Sequence, residues 1–240
     1  MTVLPAGHPF RRHSENLTAV KKGLVQLERL HRAAIRAGDQ TATDTVSRFH
    51  MLAVGLMAEA RLRKIIWDPD GFNDRERELL RRVSSQLDRW EAAVEYAFRR
   101  HYSVPVHREL DQFVLGAVPF GQLQSVLNVL RSHLSVVIDD RNKTAHDQWA
   151  WHLNSKETAF VGPAPKPLNY RAIKTRSDLI VKIGDLVNVL VVSEPTFQRD
   201  FDEINSKIDR LALLVHGNDY AAYVTVLRRE SAAIHQRLGP

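Results

Sequence analysis

The sequence predicts an all-α protein, a helical bundle with one small irregular or hairpin insertion, and three observations predict it. The chain of 240 residues has only 11 Gly and 10 Pro, fewer turn-forming residues than an average chain of this length. Long segments repeat apolar residues every three or four positions, as amphipathic helices do. One stretch departs from this pattern: Trp149–Leu153 alternates like a strand, and the Pro-rich run 162–167 indicates a stiff loop.

The composition excludes several classes of protein. Apolar residues make up 44% of the chain, enough to form a substantial core. The absence of Cys excludes disulfide scaffolds, thiolate metal sites and Cys nucleophiles. The apolar runs are far shorter than a membrane span, and Pro and Gly interrupt the first ten residues where a signal peptide needs an apolar core. We therefore expect a cytoplasmic protein with no membrane contact.

The first half of the chain predicts three long helices. Ser14 is a suitable N-cap for a helix over 14–37, which Gly38 would end. A second helix over 43–67 is apolar on so many sides that we expect it to be central, with Phe49, Leu52 and Leu56 among its core positions. After a turn at 68–71, a single third helix is predicted over 73–101.

The second half predicts a short helical segment, a long helix, the insertion and three more helices. Their predicted ranges are 109–114, 121 to about 146, 171–192, 196–214 and 219–238. We interpret 1–240 as one helical domain, with a core over about 43–192 between an N-terminal helix at 14–37 and C-terminal helices over 195–238.

Arg141 and His146 form the candidate site, although their spacing alone carries little information. Five Arg/His pairs in the chain have a similar spacing, but only Arg141 is followed by Asn or Asp. Asn142 and His146 lie one turn apart on the same helix face, while Arg141 continues the apolar stripe of Leu127 and Leu134. A charged Arg on such a stripe requires a partner, which could be a carboxylate, a second subunit or a phosphate.

Positive charge is concentrated after this pair. Residues 141–176 contain seven Lys and Arg against Asp147 and Glu157, so they hold +5 of the chain's net +6. Such a bias favours a polyanionic partner. RNA is the partner that we expect.

The Arg-Asn-x-x-Ala-His end of the long helix resembles the HEPN superfamily of helical nucleic-acid-processing proteins. Glu59-Ala60-Arg61-Leu62-Arg63 is similar to the second helix of that fold, and the resemblance covers about 43–192. It implies a metal-independent endoribonuclease without a cofactor, acting as a toxin or antiphage effector. Arg141, Asn142 and His146 would then form the active site, typically across a homodimer, with an antitoxin or defence-system protein as a possible partner.

These residue types suit RNA cleavage without a metal. The 2′-OH attacks the adjacent phosphate, so a base must take its proton and an acid must protonate the leaving 5′-oxygen. His146 can do either, because histidine titrates near neutrality. Arg141 can contact two phosphate oxygens at once, and Asn142 can position His146 or the phosphate. The expected products are a 2′,3′-cyclic phosphate and a 5′-hydroxyl.

Other side chains are candidates for supporting roles, each with a simpler alternative. Glu59 could support Arg141 or merely pair with Arg63 one turn away. Two Trp could stack on bases or pack against the chain, and three Lys could contact the RNA backbone or be solvated. These five residues are Trp149, Trp151, Lys143, Lys156 and Lys166.

Two other functions stay open at this point. The chain could be a non-catalytic helical module that binds RNA or a protein and retains the motif. The His146-Asp147 pair also resembles the paired His-Asp of helical metal phosphohydrolases, which need a further His and Asp that the sequence does not locate. Salt-sensitive RNA binding without cleavage would favour the module, and loss of activity with a chelator would favour the phosphohydrolase.

Overall fold

A computed structural model describes residues 5, 7–154, 156, 158–217 and 219–238, and their side chains except those of 216 and 231–238. Helices contain 77% of the residues and strands 3%, so the predicted all-α class is confirmed. That the bundle is of the HEPN type stays a prediction. Within the described ranges, no helix is both long enough and apolar enough to cross a membrane.

Long helices form most of the chain, and their bounds are as follows. The helices are α1 (Pro9–Ala37), α2 (Gln40–Ile66), α3 (Asp74–Arg82), α4 (Gln86–His101), α5 (Gln112–Leu115), α6 (Ala117–Val129), α7 (Ser135–Ala145), α8 (Tyr170–Val192), α9 (Glu194–His216) and α10 (Tyr220–Leu238). A π-helical turn, Leu130–Leu134, joins α6 to α7. Strands β1 (Trp151–Leu153) and β2 (Phe160–Pro163) pair antiparallel, so the insertion, predicted to be either irregular or a hairpin, is a hairpin.

The first helix begins earlier than the sequence predicted. Pro9 occupies its first turn, where a missing N–H costs nothing, and the His8 ring accepts the Phe10 N–H at 3.2 Å. Ser14 lies inside the helix, and its hydroxyl donates to the Phe10 carbonyl. The predicted end is confirmed, since Gly38 adopts the left-handed conformation with φ 70°.

The predicted single helix over 73–101 is wrong, because the chain breaks between α3 and α4. Val83 is extended (φ −72°, ψ 117°), and the Ser85 hydroxyl starts α4 by accepting the Asp88 N–H. The Arg89 guanidinium donates to the Val83 carbonyl and so fixes the break. Ser84-Ser85 followed by Asp88 was an N-cap signal within an otherwise continuous helical pattern.

Several other predicted starts differ by a few residues. The segment predicted over 109–114 is helical only over Gln112–Leu115, because the Asp111 carboxylate accepts the Val114 N–H and caps it there. The long helix predicted from 121 starts at Ala117. Asn169 and Ser193 cap α8 and α9 with their side chains, so these helices begin near their predicted positions.

The second helix is central, as predicted, but two of its expected core positions are wrong. α2 packs against α1, α7 and α8, and Val54, Met57 and Ala58 are buried. Phe49 and Leu56 instead have 44% and 38% of their surface exposed. Because α2 is apolar on nearly every side, its periodicity could not indicate which sides the neighbouring helices cover.

Arg61 crosses from α2 to α8 in the middle of the bundle. Its guanidinium donates to the Asp185 carboxylate at 2.6 Å, although its side chain is only 10% exposed. It lies directly on Gly184, where an added Cβ would overlap the guanidinium. The pair is therefore possible only because the facing helix has no side chain at that position.

Two buried histidines join α1 to α2. Ser47 donates its hydroxyl hydrogen to the Thr43 carbonyl, so the His31 Nε2, 3.0 Å away, must donate to Ser47. The neutral His31 Nδ1 then accepts from the His50 Nδ1 at 3.3 Å. This assignment leaves the buried His50 Nε2 as an acceptor without a partner among the described residues.

Burial keeps both rings neutral. Burial lowers the pKa of His31 from 6.5 to about 4, and burial followed by the charges of His31 and Lys174 lowers that of His50 to about 4. The protonated form of either ring would therefore be strongly disfavoured in the folded chain.

We predict that acid destabilises the fold through this pair. Between pH 6.5 and 4 the unfolded histidines bind protons that the folded ones do not, so stability is complete above 6.5 and falls toward 4. The expected loss is roughly 2 kcal/mol per histidine at pH 5. Urea unfolding at several pH values measures it. The double variant His31→Leu/His50→Leu should show a shallower dependence, and an unchanged dependence would contradict this explanation.

Candidate functional site

Arg141 lies where α7 crosses α2, and its guanidinium is held on two sides. Its Nη2 donates to the Glu59 carboxylate at 3.2 Å, and its Nη1 donates to the Asn142 side-chain oxygen at 2.9 Å. The side chains of Arg141 and Glu59 are 26% and 24% exposed. The partner that an Arg on an apolar stripe requires is therefore a carboxylate of α2, which also pairs with Arg63.

A glycine of α2 makes this crossing possible. Gly55 faces Arg141 and the Val137 carbonyl, and a Cβ at this position would overlap the Arg141 Cβ and Cγ. The stem of Arg141 thus lies flat against the α2 backbone, while its Nε is buried without a hydrogen-bond partner in the part of the chain that the structure describes. Close helix contact fixes the direction in which the guanidinium points.

His146 ends α7 and is exposed. The backbone N–H of His146 donates to the Asn142 backbone carbonyl, and the backbone N–H of Gln148 donates to the Lys143 carbonyl. Asp147, between them, adopts a left-handed conformation (φ 55°). These are the features of a Schellman C-cap. No described residue forms a hydrogen bond or ion pair with the His146 ring, so the structure joins Arg141 to Asn142 and leaves His146 one turn away.

Trp149 packs against its own chain. The indole N–H donates to the Thr144 carbonyl at 2.9 Å and so caps α7. The ring meets Phe49 edge to face at 5.4 Å, and the Arg48 guanidinium lies 5.6 Å from its centre. Trp149 therefore stabilises the C-terminal end of α7.

The other predicted RNA contacts lie on the hairpin and beside it. Trp151 is 54% exposed and meets Phe160 at 6.0 Å, and Lys156 is exposed between the two strands. Lys143 and Lys166 do not lie with Arg141, because both line a separate small pocket. These candidates therefore lie in two separate places near the end of α7, the hairpin and the small pocket.

An open cleft of about 550 Å³ lies beside Arg141. Glu59 and Arg63 of α2 form one side of the cleft, and Arg141 and Asn142 of α7 form a second side. Residues 84–86, at the break between α3 and α4, form the third side. Among the residues that the structure describes, three guanidinium groups and two carboxylates line it, so the cleft has mixed charge. They belong to Arg63, Arg89, Arg141, Glu59 and Asp139.

Part of the positive charge predicted from the sequence is neutralised. Arg176 pairs with Asp140 at 2.8 Å, and Lys174 pairs with Glu28 and Asp178. Glu28 and Asp140 lie outside the window 141–176, so only the fold brings them to these cations. Four basic residues of the window have no ion pair among the described residues: Lys143, Lys156, Lys166 and Arg171.

Sequence reasoning missed several residues that form the site. The break at Ser84-Ser85, which walls the cleft, was signalled by its serines. Gly55 gave only a weak signal, because a glycine inside a helix has many possible reasons. Arg48 gave no signal, since its place beside Trp149 depends on how α2 and the segment after α7 pack.

No group of three or more His, Asp or Glu among the described residues could hold a metal ion. Comparisons of the chain with protein-family models, with curated proteins and with solved structures find no match.

We predict that Gly55→Ala destabilises the fold by about 1–3 kcal/mol, because the added methyl group forces α7 and Arg141 away from α2. Urea unfolding measures the change. Gly23→Ala is the matched control: it lies within α1 with nothing near its Cβ position, so it should be neutral or slightly stabilising. Equal effects of the two changes would show that no close contact exists at Gly55.

Proposed function

We propose that this protein is a metal-independent endoribonuclease in which His146, Arg141 and Asn142 act on one phosphate of RNA. One observation carries the proposal: the end of α7 carries an Arg that a neighbouring helix holds in place and, about one turn further along, an exposed imidazole. A phosphate at this helix end could meet both groups. The resemblance of the motif to the HEPN superfamily supports the same reaction.

His146 would move protons and Arg141 would stabilise charge. An exposed imidazole can approach a substrate without losing a partner of its own, and an imidazole can both accept and donate a proton. The Arg141 guanidinium would meet the negative charge that builds on the phosphate oxygens during attack by the 2′-OH. Asn142 and Glu59 would orient that guanidinium, because each accepts one of its N–H groups.

A homodimer would complete the site. One His cannot readily be both base and acid in one turnover, and two-fold symmetry would bring a second His146 to the same phosphate. Exposed apolar side chains on the hairpin, Trp151, Phe160 and Val161, supply contact area close to the motif. A cytoplasmic role as a toxin or antiphage effector, with an antitoxin or defence-system partner, is part of this proposal through the resemblance alone.

The second candidate is a non-catalytic RNA-binding module with the same fold. The observation that favours it is the anchoring of Arg141: Glu59 and Asn142 already accept one N–H from each of its two Nη atoms. A phosphate would have to share or replace these contacts. Salt-sensitive RNA binding with no cleavage would favour the module.

We predict that the wild-type protein cleaves single-stranded RNA in EDTA and leaves 2′,3′-cyclic phosphate ends. Arg141→Ala and His146→Ala should each reduce the rate roughly 10²- to 10⁴-fold, as expected for the loss of a positioned catalytic group. Glu59→Ala should reduce it more than about twofold, because Arg141 loses its anchor. Gel analysis of labelled RNA measures rates and ends.

His107→Ala and Arg81→Ala are matched controls, because both side chains are exposed and neither lines the cleft beside Arg141. Both variants should cleave at the wild-type rate. Cleavage that survives both Arg141→Ala and His146→Ala would reject this site. A wild-type protein that binds RNA but never cleaves it would favour the module.

We also predict that His146→Ala chains inactivate the wild-type chains with which they pair. If two-fold symmetry brings both His146 rings to one phosphate, a heterodimer of wild-type and His146→Ala chains lacks either the acid or the base. A co-refolded equal mixture should then retain roughly a quarter of the activity of the same total amount of wild type, which is the share of wild-type homodimers. Cleavage assays on the mixture and light scattering measure activity and oligomeric state. A dimeric mixture that retains about half of that activity would contradict a shared site.

A further inference from the structure

A second pocket of about 200 Å³ opens on a different face of α7 from the cleft. Its walls come from α2, α7, the hairpin and residues 165–168. Met51, Val136 and Leu168 supply an apolar surface, and Val136 remains 39% exposed there. The pocket thus offers an apolar wall at the surface rather than a closed core cavity.

The rim of this pocket carries excess positive charge. Arg176 is neutralised by Asp140, but Arg48, Lys143 and Lys166 form no ion pair with any described residue. Arg48 is held instead by the face of the Trp149 ring. Three cations around one small opening repel each other, and an anion bound among them would remove that repulsion.

We propose that this pocket binds a single nucleotide, with its phosphate among Arg48, Lys143 and Lys166 and its base against Met51, Val136 and Leu168. An apolar wall beside a cationic rim matches a ligand that has a flat ring at one end and a phosphate at the other. The volume suits one base, being below the roughly 300 Å³ at which pockets for larger ligands begin.

The position of the pocket indicates RNA as the source of this nucleotide. Lys143 and Thr144 line it from the last turn of α7, immediately before His146. A strand with its reacting phosphate at His146 could therefore place a neighbouring nucleotide here. RNA as the source depends on the proposed function, whereas nucleotide binding by the pocket does not, because a free mononucleotide has the same chemistry.

His152 provides a reporter inside the pocket. Burial, followed by the charge of Lys143 and then that of Arg48, lowers its pKa, and Asp140 opposes this. A phosphate bound beside these cations would raise that pKa. NMR titration of the His152 ring, with and without ligand, therefore tests whether the anion binds at this place.

The experiment is calorimetric titration of the whole chain with adenosine 5′-monophosphate, adenosine, inorganic phosphate and a 2′-O-methyl tetranucleotide that cannot be cleaved. The monophosphate should bind more tightly than adenosine or phosphate alone and raise the His152 pKa. Arg48→Ala should weaken its binding roughly tenfold, as expected for loss of a charged phosphate contact. Val136→Trp should abolish binding by filling the pocket.

Arg81→Ala and Val118→Trp are matched controls, since both positions are exposed and neither lines the pocket. They should bind like the wild type. Monophosphate binding that survives Val136→Trp, or that is no tighter than binding of phosphate alone, would overturn the proposal. Tetranucleotide binding that Val136→Trp also weakens identifies the RNA strand as the source, and unaffected tetranucleotide binding identifies a free nucleotide.

RNA cleavage by the same proteins separates this proposal from the proposed function. Mononucleotide binding in the pocket with no RNA cleavage would overturn the proposed ribonuclease activity and support the proposed nucleotide pocket. Cleavage by the wild type with no mononucleotide binding would overturn the pocket alone.

Discussion

Two arginine–glycine contacts on the central helix determine how the bundle packs. Arg141 of α7 lies on Gly55 of α2, and Arg61 of α2 lies on Gly184 of α8. Each guanidinium is removed from most of the solvent and has one carboxylate among the described residues as its charged partner. A half-buried charge is tolerated only when that partner is in place. The spacing of these three helices is therefore set by charges and missing side chains as well as by apolar packing.

These contacts determine the position of the C-terminal end of α7. Gly55 and Glu59 fix where Arg141 points, and the turn after the helix is closed by a Schellman cap and by the Trp149 indole. His146 then projects from a rigid helix end although its own ring has no partner among the described side chains. Such an arrangement holds the helix end in place while leaving the His146 ring exposed.

Two cavities that differ in charge lie on different faces of α7 near this helix end. The cleft beside Arg141 contains guanidinium and carboxylate groups in nearly equal number, whereas the smaller pocket has an apolar wall and a cationic rim. The rim stays cationic because the described acids that reach the window 141–176 pair with Arg141, Lys174 and Arg176 and not with Lys143 or Lys166. The two faces of α7 near its C-terminal end therefore differ in charge.

The sequence by itself determined the helical class, the end of α1 at Gly38 and the place of the Arg141–His146 motif on α7, because apolar periodicity and cap residues act locally. It left the insertion open between a hairpin and an irregular loop. It also indicated that Arg141 needs a partner. Only the tertiary structure decided that this partner is Glu59, that Phe49 and Leu56 are exposed on α2, and that Arg48 lies beside Lys143 and Lys166. These outcomes depend on which helix faces meet, and a local pattern cannot contain that information when a helix is apolar on most sides.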